Sequence, residues 1–185
     1  MNKFLLWLNI LLIILMIIIP WLYYPKLPLS VPSHWNLKGE IDRYSTKLSY
    51  IIIISLFTPM TNIILLIIYA VRWPLIQKYP YAISLPAMVM ILGSERIPEH
   101  VKRKLIEKMF DIVLLIGLLV GVYMFGLEIL MLESALSGKI NSILLMIFTI
   151  VGTIGLIVIT LMAYRQYYIK EIKPIKERNR AFNSA

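Results

Sequence analysis

His34, Glu40 and Asp42 are the side chains best equipped for chemistry in this chain, an imidazole and two carboxylates within nine positions. They stand in the run Val31-Pro32-Ser33-His34-Trp35-Asn36-Leu37-Lys38-Gly39-Glu40-Ile41-Asp42-Arg43-Tyr44, with the Asn36 amide between them. Such groups can bind zinc or move protons. As a ligand set, however, one histidine and two surface carboxylates are thin, and the HExxH spacing of helical zinc proteases is missing. The chain has two histidines, neither in a nucleophile motif, and no cysteine, which leaves no serine triad, thiolate site or disulfide. The residues support three readings: His34 held by Asp42 or Glu40 in a structural hydrogen bond, a recognition loop, or a metal or catalytic centre. The first two fit better, so we expect no catalytic residue, no metal, no cofactor and no enzyme.

The elements that position this loop follow from hydropathy. Hydrophobic residues are 59% of 185, with mean hydropathy +0.80, against roughly 45–50% in soluble domains. About 20 apolar residues cross the ~30 Å hydrocarbon layer, and four stretches qualify, residues 4–24, 48–71, 109–132 and 142–164. The expected fold is all-α, with four transmembrane helices, an ordered extracytoplasmic loop at 25–47 and a short interfacial or re-entrant segment. Residues 1–111 form a membrane domain whose inner segment is 72–108. A helical hairpin follows at 109–164, then a basic tail at 165–185. Pro20-Trp21-Leu22-Tyr23-Tyr24 stands where a signal peptide would show its small-residue cleavage site, so the first run reads as an uncleaved anchor.

Charge sets the expected orientation. Of 19 basic residues, fourteen fall on one side: Lys3, the seven between Arg72 and Lys108, and the six between Arg165 and Arg180. Basic loops stay cytoplasmic, which places both termini inside, the His34 loop outside, and the protein in the plasma membrane. The inner cations suit an anionic leaflet, at about 1 kcal/mol each. The tail lacks the aromatic residues and module of a nucleic-acid binder, so no nucleic acid is expected. Tyr79–Gly93 is short for a span and is broken by Pro80 and Pro86, which suits an interfacial or re-entrant piece. Were it to cross, Lys102-Arg103-Lys104 would lie outside.

Polar residues inside the spans are few. Ser55, Thr58 and Asn62 share one face around Pro59, as inter-helix glue, with Asn62 meeting Asn9, or as a polar pathway. Pro98 opens a basic amphipathic helix to Lys108, expected to lie on the inner leaflet. His100, Lys104, Glu107 and Asp111 share a face there, as a salt-bridge network. Gly117 and Gly121 make a small-xxx-small pattern that admits a close helix, in the bundle or in a homo-oligomer, with Gly152 and Gly155 as the matching surface. Glu128 and Glu133, near the outer end of the third span, are expected to snorkel or to pair with Lys26, Lys38 or Arg43.

Pro25, Pro28 and Pro32 favour an extended, polyproline-like exit from the first helix. Asn36-Leu37-Lys38-Gly39 supplies turn chemistry, and Ser45 or Thr46 can cap the second helix. Trp35, Ile41 and Tyr44 would pack the cap onto the bundle. Leu27-Pro28, Val31-Pro32-Ser33-His34-Trp35-Asn36, Gly39-Glu40, Asp42 and Lys47, followed by an apolar helix, resemble the N-terminal membrane domain of SdpI-like immunity proteins. The match is specific over 25–47, plausible to Asp111, and rests on hydropathy beyond. Family members of the best-studied kind protect bacteria from a secreted killing peptide and hold a repressor at the membrane. They have about six spans, whereas this chain has about four. The resemblance implies a recognition loop of Pro32, His34, Trp35, Asn36, Gly39, Glu40 and Asp42 for a peptide, toxin or protein partner. A transporter using Ser55, Thr58 and Asn62, or an accessory subunit packing through Gly117 and Gly121, is the alternative.

Overall fold

A computed structural model describes residues 3–36, 40–79, 91, 97–139, 142–175 and 177. Its elements are α1 (Lys3–Tyr23), a 3₁₀ turn (Tyr24–Lys26), β1 (Ser30–Trp35), β2 (Ile41–Thr46), α2 (Lys47–Ala70), α3 (Arg72–Lys78), α4 (Glu99–Ser137) and α5 (Ser142–Tyr167). A π-helical turn at Tyr168–Ile172 continues α5. Four helices are long and apolar enough to cross a membrane. Side chains such as Phe57, Ile150 and Leu161 lie exposed along them, as a lipid-facing surface requires. The chain is a multi-pass integral membrane protein.

Helices α1, α2 and α4 pack mutually, and α5 rests mainly on α4. Two apolar clusters hold the ends of the bundle. At the end carrying the β-strands, Leu27, Val31, Ile51, Ile54 and Leu132 are buried together. Tyr50 donates from its hydroxyl to the Met131 carbonyl, 2.9 Å away. At the opposite end, Tyr69, Ile76, Leu105, Phe110 and Ile172 gather residues from α2, α3, α4 and the π turn. The Tyr167 hydroxyl donates to the Leu105 carbonyl there, at 3.0 Å.

Three features differ from the sequence expectation. The chain is helical as expected, but the ordered loop leaving α1 is a two-stranded antiparallel ribbon rather than a polyproline-like segment. Proline has no ladder donor and is confined to edges. Because both strands of a lone ribbon are edges, Pro32 can pair with Tyr44.

The basic stretch from Pro98 is the beginning of α4 rather than a separate helix on a leaflet. That helix has 39 residues, roughly 58 Å at 1.5 Å per residue, well beyond the hydrocarbon thickness. No glycine or proline interrupts it before Gly117. Leu105, Ile106, Met109 and Phe110 find protein cover, so this face needs no lipid to bury it. Pro98 precedes the helix, its carbonyl accepting from Val101 at 2.9 Å. Gly138, at φ 65°, closes the other end in the left-handed conformation glycine allows.

The third difference lies between α4 and α5. Gly152 and Gly155 do not match Gly117 and Gly121. A Cβ on Gly152 would stand 2.4 Å from the Tyr123 ring, and one on Gly126 2.6 Å from the Phe148 ring, whereas Gly155 has nothing within 4 Å. Tyr123 and Phe148 stack at 5.6 Å and 8°, each seated on the other helix's glycine. The ion pairs along this stretch lie off the expected face of His100, Lys104, Glu107 and Asp111: Lys102 pairs with Glu99 at 2.8 Å and Lys108 with Glu171. The anticipated Tyr79–Gly93 segment lies outside the described residues except for Tyr79 and Ile91, and most of the tail beyond Ile175 lies outside them too.

Candidate functional site: a chamber beneath the β-ribbon

The ribbon pairs Ser30 with Thr46, Val31 with Ser45, Pro32 with Tyr44, His34 with Arg43 and Trp35 with Ile41. Ser33 and Asp42 fall at irregularities in this register. Such bulges re-aim side chains, and here His34 Nδ1 comes 2.5 Å from Asp42 Oδ1. Nearer the turn, Asn36 Nδ2 donates to Glu40 Oε2 at 2.8 Å, and the Glu40 amide donates to Asn36 Oδ1 at 3.0 Å. Sequence reasoning had left His34 with either carboxylate. The geometry gives it Asp42, and gives Glu40 to Asn36. These pairs are exposed, whereas Pro32 and Val31 are buried against the bundle. Gly39, Lys38 and the Trp35 side chain lie outside what is described. Among the described residues no three His, Asp or Glu side chains gather as a metal-ligand group.

Thr46 anchors the ribbon to α2. Its hydroxyl accepts from the Ser49 amide at 3.2 Å, an N-cap. On the α1 side, Lys47 Nζ lies 4.5 Å from the Tyr24 ring centroid, and the Tyr23 hydroxyl donates to Glu133 at 2.8 Å. The ribbon itself packs on α2 and α4.

Beneath it is a cavity of about 510 Å³. Ser33, His34, Arg43, Tyr44 and Ser45 form its ribbon side. Tyr50, Ile53, Ile54, Phe57 and Thr58 contribute the α2 wall, and Met124, Leu127, Glu128 and Met131 the α4 wall. Glu128 is 0% exposed. Neither carboxylate oxygen has a hydrogen-bond partner among the described residues. The expectation that Glu128 snorkels or pairs is thus corrected. Lys26 sits over the Tyr23 ring, Lys38 is outside the described residues, and Arg43 shares the chamber with Glu128 without forming an ion pair in it. Folding places this helix face under α2 and the ribbon, so the side chain lies in the chamber and is itself fully buried.

The polar face of α2 is divided among three surroundings. Thr58 lines the chamber, and its hydroxyl donates to the Ile54 carbonyl at 2.8 Å. Ser55 borders a separate groove with Ile17 and Trp21 of α1. Asn62 is sealed in the α1–α2–α4 junction. Its amide donates to the Gly117 carbonyl at 2.9 Å and to Asn9 Oδ1 at 3.4 Å, while Asn9 donates to the Leu5 and Leu114 carbonyls at 2.8 and 3.0 Å. The anticipated Asn9–Asn62 contact is present. Gly117 and Gly121 make the close approach possible within the bundle, since a Cβ on Gly121 would stand 2.3 Å from Asn62 Nδ2.

Comparison with known sequences bears on this same region. Residues 11–58 match a domain of unknown function, DUF1648. The match runs from α1 through the ribbon to Thr58, taking in one wall of the chamber. An uncharacterized protein of Archaeoglobus fulgidus is 34% identical over 139 residues, which cover 75% of this chain and 74% of the relative. This chain belongs to the same family. Together the two matches support a membrane family of unknown function, and neither of them extends to SdpI-like proteins. No solved structure matches.

Sequence reasoning missed the chamber's walls. Arg43, Tyr50 and Met124 carry no motif, and their convergence depends on the ribbon folding back over α2. Glu128 did carry a signal, an acid inside an apolar run.

Proposed function

We propose that this protein is a non-enzymatic membrane receptor that recognises a peptide or protein partner through the ribbon and the chamber beneath it. The observation that carries this reading is the pairing of an exposed polar ribbon with an apolar cavity under it. Binding sites are concave, mostly apolar and edged by a few placed polar groups, and the chamber has that composition. The ribbon packs on α2 and α4 and is capped onto α2 by Thr46, so little ordering entropy is lost there when a partner binds. In this reading the ribbon is extracytoplasmic, and the basic surface faces an anionic inner leaflet and a cytosolic contact, as the lysine and arginine distribution favours. The resemblance to SdpI-like immunity proteins adds a secreted toxic peptide as the partner to test first. A transporter built on Ser55, Thr58 and Asn62 has less support, because these residues open onto different places.

The test has two parts. A single cysteine introduced as Glu40→Cys, at an exposed ribbon position, is unique in this cysteine-free chain, and on whole cells an impermeant maleimide should label it. Cells lacking the chain should become sensitive to a neighbouring strain's secreted peptide. The intact chain should restore protection, and His34→Ala with Asp42→Ala should not. Labelling only after lysis, or full rescue by the double variant, would overturn the reading.

A further inference from the structure

Glu128 is the least explained group in the molecule. A carboxylate removed from water is costly unless it is paired, and every other buried polar side chain of the bundle core that could be strained in this way is small or an amide. Glu128 lines a cavity large enough for a drug-sized organic molecule. Ile54, Leu127 and Met131 line the same cavity with apolar surface, and Tyr50 turns its hydroxyl away, to the Met131 carbonyl. Thr58, the nearest hydroxyl on the α2 wall, spends its proton on Ile54. The chamber therefore offers one anionic acceptor in a mostly apolar shell; the Thr58 hydroxyl stands beside it but donates to Ile54, which leaves both carboxylate oxygens without a hydrogen-bond partner among the described residues.

We propose that the chamber binds a primary ammonium group carried on an apolar stem, with Glu128 as its counter-ion. The stem packs between Ile54 and Met131, and the ammonium donates to the two free carboxylate oxygens. Arg43 lines the ribbon side of the same cavity, so a second cation near the mouth is repelled and a single-headed amine is preferred. The ligand can be a free amine or the lysine of a peptide. This inference rests on the receptor reading for its peptide form only.

The experiment uses the full chain in lipid nanodiscs, titrated calorimetrically with tryptamine and with the blocked peptide acetyl-Leu-Lys-Leu-amide. Tryptophol and the norleucine peptide serve as neutral counterparts. At least one cationic probe should bind, its neutral counterpart should bind roughly tenfold more weakly or worse, and Glu128→Gln should reduce binding by a similar factor. Which cationic probe binds identifies the source. Glutamine keeps the shape and is tolerated by the fold, and unchanged thermal unfolding of that variant checks this independently. Failure of both amines, equal binding of the neutral counterparts, or undiminished binding by Glu128→Gln would overturn the proposal and leave Glu128 a neutral packing group. Such a failure, with toxin protection still dependent on His34 and Asp42, would leave the receptor reading standing. Loss of that protection result with amine binding intact would do the reverse.

Discussion

The seam between α2 and α4 is closed at one level and open at another. At Asn62 and Gly121 the helices touch so closely that a single added methyl has no room, and the amide hydrogens are bonded to Asn9 and the Gly117 carbonyl. One turn along α2 and two along α4, at Thr58 and Glu128, the same helices part around a cavity of about 510 Å³, and the carboxylate is left without a partner among the described residues. Both levels bury a polar side chain completely. In one place polarity joins helices; in the other it waits for something. Lipid offers no hydrophobic force to press helices together, so small residues and paired amides do the joining. An unpaired acid at similar depth contributes nothing of that kind and is read as a functional group.

The comparison can be broken most severely at the closed level. Gly121→Leu should cost about 3 kcal/mol or more, because overpacking there meets Leu12 as well as Asn62. Thermal unfolding in detergent should show a large fall or loss of the folded band. A variant that folds normally would mean the helices are not so close. A second closed contact sharpens the point. Gly152→Ala should cost about 1–2 kcal/mol by displacing Tyr123 from its stack on Phe148. Gly155→Ala, facing open space, should stay within about 0.5 kcal/mol. Equal effects from the two would erase the distinction. The smallest stability effect is expected at the ribbon. The His34–Asp42 pair has side chains 59% and 44% exposed, and exposed pairs give about 0–1 kcal/mol. His34→Ala should therefore leave unfolding almost unchanged while abolishing partner recognition, a separation that chemical denaturation alongside the protection assay would read.

Much of this was legible in the chain itself. Four apolar runs of spanning length dictate four helices, and only small boundary shifts separate the expected spans from α1, α2 and α5. Asn9 and Asn62 could be matched because each is a strong polar group in its span, and two such groups in lipid have few partners other than each other. Local chemistry narrowed the helix cap to Ser45 or Thr46 and the His34 partner to Asp42 or Glu40, and the fold chose Thr46 and Asp42. The ribbon did not, because three prolines suit an extended strand and a polyproline segment equally, and the choice depends on Ile41–Thr46 returning alongside. The long α4 was divided at Met109 on hydropathy, yet backbone continuity depends on cover from α3 and the π turn. Glu128 was misjudged for a related reason. Its position one turn from the interface suggested snorkelling, and only the fold of the ribbon over α2 shows that the side chain is enclosed in the chamber.

One paired measurement tests the contrast most directly, thermal unfolding of Asn62→Ala and Glu128→Gln in the same detergent as the unaltered chain. Asn62→Ala should lower stability by about 1–2 kcal/mol, since it strips donors from Gly117 and Asn9. Glu128→Gln should hold or raise it, since it removes an unpaired buried acid. A tolerated Asn62→Ala together with a destabilised Glu128→Gln would show that the acid, not the amide, holds the helices, and would contradict the account.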